Sequence, residues 1–293
     1  MKESRLQWKP IAILMILAVI WGGNMASIKI AAKDMAPLFM AGIRSLVASI
    51  GLFVWIKIKG IKLFPSRIIL LHGAVVGALF GTEFGLVYKG LEHTSASRVY
   101  VLLYTAPFFA ALGAHYFLKG DRLNPWKMMG LIFAFLGIVM LFLGKMGAFS
   151  PETLPGDVMA LIAGGLWGAT TVYLKRFLAQ RAQPLQTLFY QVFFSMPILF
   201  SLSLLLESPA VMGISFAGLT ALFYQCIIVA FLSYIIWFEL IHRYPVSLLH
   251  AFSFFTPVFG VFLSGILILG EPLHANLFLA LALVSVGMVL VNR

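Results

Sequence analysis

The chain of 293 residues is 61% hydrophobic and 11% charged, with a mean hydropathy of +1.00. Soluble domains carry about 25% charged residues, so this composition excludes a soluble globular protein and indicates an integral membrane protein. The net charge of +11 does not point to nucleic acid, because the basic residues are scattered over short loops, and the single Cys226 excludes an intrachain disulfide.

A helix needs about 20 apolar residues to cross a bilayer. Ten such spans are read in chain order: 11–29, 37–56, 68–88, 96–118, 125–143, 156–174, 185–206, 216–238, 246–269 and 274–291. Lys2, Arg5 and Lys9 ahead of the first apolar run have the layout of a cleaved leader. The first span nevertheless has a counterpart in the second half, described below, and is assigned to the fold. With the N-terminus inside, the inner segments hold fifteen basic residues, Lys175 among them. The outer segments hold five, Lys29, Lys33, Lys89, Arg98 and Lys145. This bias predicts that both termini are cytoplasmic.

The third span contains "HGAVVGALFGTEFG", residues 72–85. Gly73, Gly77, Gly81 and Gly85 recur every fourth residue and predict a groove for close helix packing, with a sliding surface as the sharper alternative. Glu83 lies off the centre of that stripe, on nearly the face that carries His72. A carboxylate inside a span is costly. It is read either as a cavity or proton-coupling group, or as an interfacial carboxylate or a structural pair with Arg44, the other ionisable residue deep in a span. Arg44 could equally bond backbone carbonyls or receive a substrate carboxylate.

The chain repeats itself. "IWGGNMASIK" at 20–29 matches "LWGATTVYLK" at 166–175, aligning Trp21, Gly22 and Lys29 with Trp167, Gly168 and Lys175. At a shift of 150, Pro107, Phe109, Gly120, Leu123 and Gly137 recur as Pro257, Phe259, Gly270, Leu273 and Gly287. The two repeats, residues 10–143 and 155–291, each contain five spans. An odd number makes the second enter the membrane from the opposite side, the inverted-repeat plan of secondary transporters. The predicted fold is therefore all-α, ten transmembrane helices in two inverted halves around a central cavity.

On the Trp-Gly signature followed by lysine, the mid-span Pro107 and Pro257, and the turns Gly120-Asp121 and Gly270-Glu271, the chain resembles the drug/metabolite transporter superfamily, in its ten-span branch with two EamA domains. Asp121 stands where that family usually has glutamate. Within the branch it looks most like bacterial inner-membrane exporters of amino acids, the aromatic ones included. The resemblance implies alternating-access export of amino acids or related amphiphilic metabolites and drugs across the inner membrane, with no cofactor.

Candidate substrate-binding residues follow the repeat. Asn24 pairs with Thr170 after the Trp-Gly motif, and both can hydrogen-bond a substrate. One face of span 4 carries Tyr100, Tyr104, Phe108, Ala111 and His115, and the matching face of span 9 carries His250, Phe254, Val258 and Val261. Trp21, Trp167, Thr171, Tyr224, Gln225 and Glu83 complete the set. Such aromatic stripes also serve as plain packing. Pro107 and Pro257 predict kinks or hinges, Gly120 and Gly270 helix C-caps, and Asn124 with Pro125 the start of span 5. The expected partners are a small-molecule substrate, the lipid bilayer and a coupling proton, with no nucleic acid, and the chain is expected to work as a monomer.

Rival readings are weaker. A membrane enzyme lacks a sequence basis: there is no H-E-x-x-H, no G-x-S-x-G and no metal-ligand spacing. A nucleotide-sugar or lipid carrier would want several cavity arginines, and only Arg44 lies deep in a span. A passive uniporter in the same fold stays open.

Overall fold

The structure is a computed structural model that describes residues 6–147, 150–263 and 275–293. Among these residues no β-strand forms, and the chain is helical. In order the helices are α1 (Trp8–Ala31), α2 (Pro37–Ile58), α3 (Arg67–Leu91), α4 (Ala96–Leu103), α5 (Ala106–Phe117), α6 (Pro125–Phe142), α7 (Leu154–Phe177), α8 (Pro184–Leu206) and α9 (Phe216–Phe223). A π-helix, Tyr224–Ser233, follows, and then α10 (Tyr234–Arg243), α11 (Val246–Phe252), α12 (Phe255–Val261) and α13 (Ala275–Val291).

Among the described residues eight helical stretches, counting α4 with α5 and α9 through α10 as one each, are long and apolar enough to cross a bilayer. Val246–Val261 and Ala275–Val291 are shorter apolar stretches. Large apolar side chains stand outward, as at Phe216 (87% exposed) and Leu204 (85%). Water would not tolerate so many of them and lipid does, so the chain is a multi-pass membrane protein.

Two prolines break their spans. An N–H is missing at Pro107 and at Pro257, and each ring crowds the turn before it. The helix accordingly stops at Leu103 and resumes at Ala106, and it stops at Phe252 and resumes at Phe255. Each proline then sits in the first turn of the resumed helix. Asn124 caps α6 by accepting from the Lys127 N–H at 2.8 Å, with Pro125 opening the helix. Gly120 is no C-cap: Leu118 ends α5 in an extended conformation, and Gly120 takes φ +82° two residues on, inside the turn. Gly270, Glu271, Pro272 and Leu273 lie outside the described residues.

The helices assemble as two units that do not coincide with the two sequence halves. Unit 1 holds the described residues up to Gly23, Leu86–Val172 and those from Arg243 on; unit 2 holds Asn24–Gly85 and Tyr173–His242. Each unit therefore draws on both halves of the sequence.

In unit 2 the glycine stripe of α3 receives a stripe of α8 with the same period. Gly73 meets Tyr190, Gly77 meets Phe194, Gly81 meets Ile198 and Gly85 meets Leu202. Both sets rise together by four, so α3 and α8 run parallel with their backbones in close approach. A Cβ at Gly77 would lie 2.5 Å from Phe194 Cβ and 3.0 Å from the Phe194 carbonyl carbon, which is why only glycine fits. The connections of this unit are also tied. Glu207 accepts from the Leu38 and Phe39 N–H groups at 2.7 and 3.0 Å, satisfying the start of α2. Asp34 accepts from the Ser215 N–H at 2.9 Å and from its hydroxyl at 2.5 Å, and these bonds hold its carboxyl below the usual carboxylate range.

Unit 1 contains two pairs of reciprocal contacts. A Cβ at Gly22 would lie 2.7 Å from Gly260 N, and one at Gly168 would lie 2.7 Å from Ala110 N. Gly130 abuts the Gly287 carbonyl, and Gly137 abuts the Ala280 carbonyl, so α6 and α13 pack antiparallel through small residues. The two ends of the described chain meet here as well. Leu6 N–H donates to Asn292 Oδ1 at 2.8 Å, and Asn292 Nδ2 donates to Leu6 O at 3.3 Å.

Candidate functional site

Unit 1 gathers five of the residues expected at a substrate site. The Tyr104 and Trp167 rings meet edge to face with centroids 5.7 Å apart, and Tyr104 lies 6.4 Å from Phe254. Trp167 lies 5.4 Å from the His250 ring. His250 Nε2 and the Thr171 hydroxyl are 2.9 Å apart, and that hydroxyl also lies 3.3 Å from the Trp167 carbonyl. Phe135 extends the cluster, 6.5 Å from Phe254 and 5.5 Å from Phe108.

Local structure explains why these groups converge. Tyr104 and Phe254 occupy the two helix breaks that the prolines enforce, so the chain at both points departs from a straight helix. Trp167 and Thr171 are one turn apart on α7 and share a face. His250 is fully buried on the short α11, whose first turn is anchored from a distance. Asp121 accepts from the Ser247 N–H at 3.0 Å and from the Ser247 hydroxyl, and it pairs with Lys127 Nζ at 3.0 Å. Asp157 takes Arg98 through two parallel bonds and the Thr94 hydroxyl at 2.9 Å, tying α7 to α4.

Other expected site residues of unit 1 lie elsewhere. Tyr100 stacks on Phe142 with ring centroids 5.9 Å apart. The Thr170 hydroxyl donates to the Leu166 carbonyl at 2.7 Å, within its own helix. His115 leaves the stripe to accept from the Leu123 N–H at 3.1 Å, fixing the turn after α5. Trp21 is half-buried on α1.

Asn24, Arg44, Glu83 and Tyr224 belong to unit 2. Asn24 accepts from the Ser27 hydroxyl through its backbone carbonyl at 2.9 Å and its Oδ1 at 3.3 Å. Arg44 and Glu83 are both buried, and no ion pair joins them. The guanidinium instead lies over the Phe84 ring, 4.6 Å from its centroid, because an aromatic face beside Glu83 competes for the cation. Nη2 of Arg44 and Oε2 of Glu83 have no hydrogen-bond partner among the described residues. The same holds for Nε2 of Gln225, a 2% exposed side chain on the π-helix, whereas the adjacent Tyr224 is half-buried. His72 is committed to a contact of its own, 2.7 Å from the Tyr173 hydroxyl and stacked on Phe177 at 4.8 Å. Lys175, expected in an inner loop, is buried and donates to the Ile241 carbonyl near the end of α10, where the helix dipole favours a cation.

Sequence reasoning missed the π-helix, the Asp121 anchor and Phe135. A glycine-aspartate turn followed by a lysine marked the anchor's place, but nothing marked Ser247, 126 residues away, as its partner. A π-helix carries no compositional signature that separates it from an α-helix.

The family model for EamA-like transporters matches residues 8–143 and 154–293. The chain belongs to the EamA-like transporter family. It is a membrane transporter of the drug/metabolite transporter superfamily. Among its EamA relatives are the uncharacterized transporter YoaV of Bacillus subtilis, 23% identical over 92% of each chain. Another, from Escherichia coli, is called a probable amino-acid metabolite efflux pump and is 27% identical over 94% of this chain and 92% of its own. The E. coli inner membrane transporter YedA is 28% identical over 95% of this chain and 89% of its own. A solved crystal structure shares the fold, with a TM-score of 0.80, 20% identity, and coverage of 95% of this chain and 96% of its own.

Proposed function

We propose that this EamA transporter exports amino acids, aromatic ones foremost, and related amphiphilic metabolites across a bacterial inner membrane by alternating access. The observation that carries the reading is the cluster of Tyr104, Trp167, Thr171, His250 and Phe254, drawn from both sequence halves into unit 1. Aromatic faces with a few hydrogen-bonding tips suit a planar, partly polar side chain better than a polyphosphate. The naming of two relatives as amino-acid metabolite efflux pumps favours the same class.

The proposed architecture is ten spans in two inverted five-helix repeats, residues 10–143 and 155–291. Reciprocity supports it. Gly22 against Phe259 and Gly260 is matched by Gly168 against Phe109 and Ala110, and Gly130 against Gly287 by Gly137 against Ala280. Under the repeat shift each contact becomes its partner with the halves exchanged, the relation expected of an in-plane two-fold axis. The hydrogen bonds between Leu6 and Asn292 favour an even number of crossings, with both termini on one face, and the basic bias favours the cytoplasm. The helix breaks before Pro107 and Pro257 supply hinge positions in this scheme, and Glu83 is the carboxylate a coupling proton would visit. A monomer encloses the path.

Reconstitution tests the reading. Liposomes carrying the protein and loaded with unlabelled L-phenylalanine should accumulate labelled L-phenylalanine by counterflow, and Trp167→Ala should reduce it by about tenfold or more. If no aromatic amino acid exchanges in the wild type, the substrate assignment is wrong. If the wild type and Glu83→Gln respond identically to an imposed pH gradient, Glu83 carries no coupling proton.

A further inference from the structure

Resting on the export reading, we propose that Arg44 and Glu83 form the two poles of a clamp for the zwitterionic head group of an α-amino acid, with Arg44 receiving the carboxylate and Glu83 the ammonium.

Both groups are buried in unit 2, 2% and 7% exposed. Burying an ionised group without a partner is strongly unfavourable, and two opposite charges in one low-dielectric body attract strongly. Left to themselves they would close into an ion pair. They have not: no ion pair joins them among the described residues. The guanidinium lies 4.6 Å over the ring of Phe84, the residue after Glu83, so its described contact is an aromatic face and not the carboxylate. What remains is one unpartnered donor, Arg44 Nη2, and one unpartnered acceptor, Glu83 Oε2. A second buried donor, Nε2 of Gln225 on the π-helix, is also unpartnered.

The complement of a separated cation and anion is a molecule with its own anion and cation a few ångströms apart. An α-amino acid carries its carboxylate and ammonium on one carbon. Seating it would satisfy both poles at once, and a fork of Arg44 nitrogens accepts a carboxylate with defined geometry. An inorganic anion or a lone cation would satisfy one pole and leave the other exposed to the low dielectric. Gln225 Nε2 is a donor and would serve the carboxylate end.

The test is competition for binding of labelled L-phenylalanine to the purified full-length protein. Phenethylamine lacks the carboxylate and 3-phenylpropionate lacks the ammonium. In the wild type each should bind at least about tenfold more weakly than L-phenylalanine. In Arg44→Gln, L-phenylalanine should fall to the level of phenethylamine, whose own binding is unchanged. In Glu83→Gln it should fall to the level of 3-phenylpropionate. Should a variant fail to fold, the wild-type competition alone decides. Equal binding of all three ligands to the wild type overturns the clamp and leaves the export reading standing. Variants that weaken all three ligands alike also overturn it. A wild type that binds none of them overturns the export reading, and the clamp falls with it.

Discussion

Unit 1 and the Arg44–Glu83 region of unit 2 treat buried charge in opposite ways. In unit 1 the buried carboxylates Asp121 and Asp157 each hold a cation, and His250 is held by Thr171. In unit 2 Arg44 and Glu83 share one body without touching, each keeping a buried polar atom without a partner. Satisfied networks fix shape, whereas unsatisfied groups store the capacity to bind. The aromatic cluster of unit 1 is anchored through Thr171 and through the Asp121 bonds to Ser247, whereas in unit 2 Arg44, Glu83 and Gln225 each keep a polar atom with a bond still to make.

The largest expected effect breaks the packing that lets unit 2 hold unpartnered charge. Gly77→Val drives a branched side chain into Phe194 and the α8 backbone, which cannot yield without parting α3 from α8. Size-exclusion profiles of the detergent-solubilised protein should show loss of the folded species. Gly165→Ala, where the nearest atoms are 4.0 Å away, should leave the profile unchanged. Next comes the anchor of unit 1. Asp121→Ala leaves Lys127 without its carboxylate and α11 without its first-turn acceptor, and should lower stability by about 3 kcal/mol. Because α11 carries His250, phenylalanine counterflow should fall in the same variant.

A smaller change sharpens the comparison inside the aromatic cluster. Thr171→Val keeps the shape and removes the hydroxyl beside His250 Nε2, so thermal unfolding should report a loss of about 1 kcal/mol. The smallest effect is a pH dependence in unit 2. Asp34 has its carboxyl depressed by the Ser215 hydroxyl and N–H, so its stabilisation is present above the unfolded value of about 3.9 and is lost as the pH falls through the lower folded value. Unfolding midpoints of the wild type and Asp34→Ala should differ above about pH 5 and converge as the pH drops below about 4.

Much of this was legible in the sequence because it is written in periodicity. The four-residue spacing of Gly73, Gly77, Gly81 and Gly85 announced a packing face, and α8 supplies residues of the same spacing. The Trp-Gly repeat pointed to Trp167, and matching faces of spans 4 and 9 pointed to Tyr104 and to His250 and Phe254, which the fold brings together. Long-range choices were not legible. Pairing of Arg44 with Glu83 was one of several readings open from sequence, and nothing in their spacing showed that the guanidinium would lie over the Phe84 ring. Lys175 read as a loop charge, and only the fold shows it donating to Ile241. The division into units that cut across the repeats depends on helix packing between distant segments, which local pattern does not encode.

Inversion of the two halves is the claim on which the transport cycle rests, and sidedness labelling addresses it most directly. In a Cys226→Ser background, Trp8→Cys, Lys145→Cys and Arg293→Cys can be probed in intact cells with a membrane-impermeant maleimide. The account predicts that Lys145→Cys, between the halves, reacts from outside, while Trp8→Cys and Arg293→Cys react only after the membrane is opened. Reaction of Lys145→Cys from the same face as Trp8→Cys would contradict it.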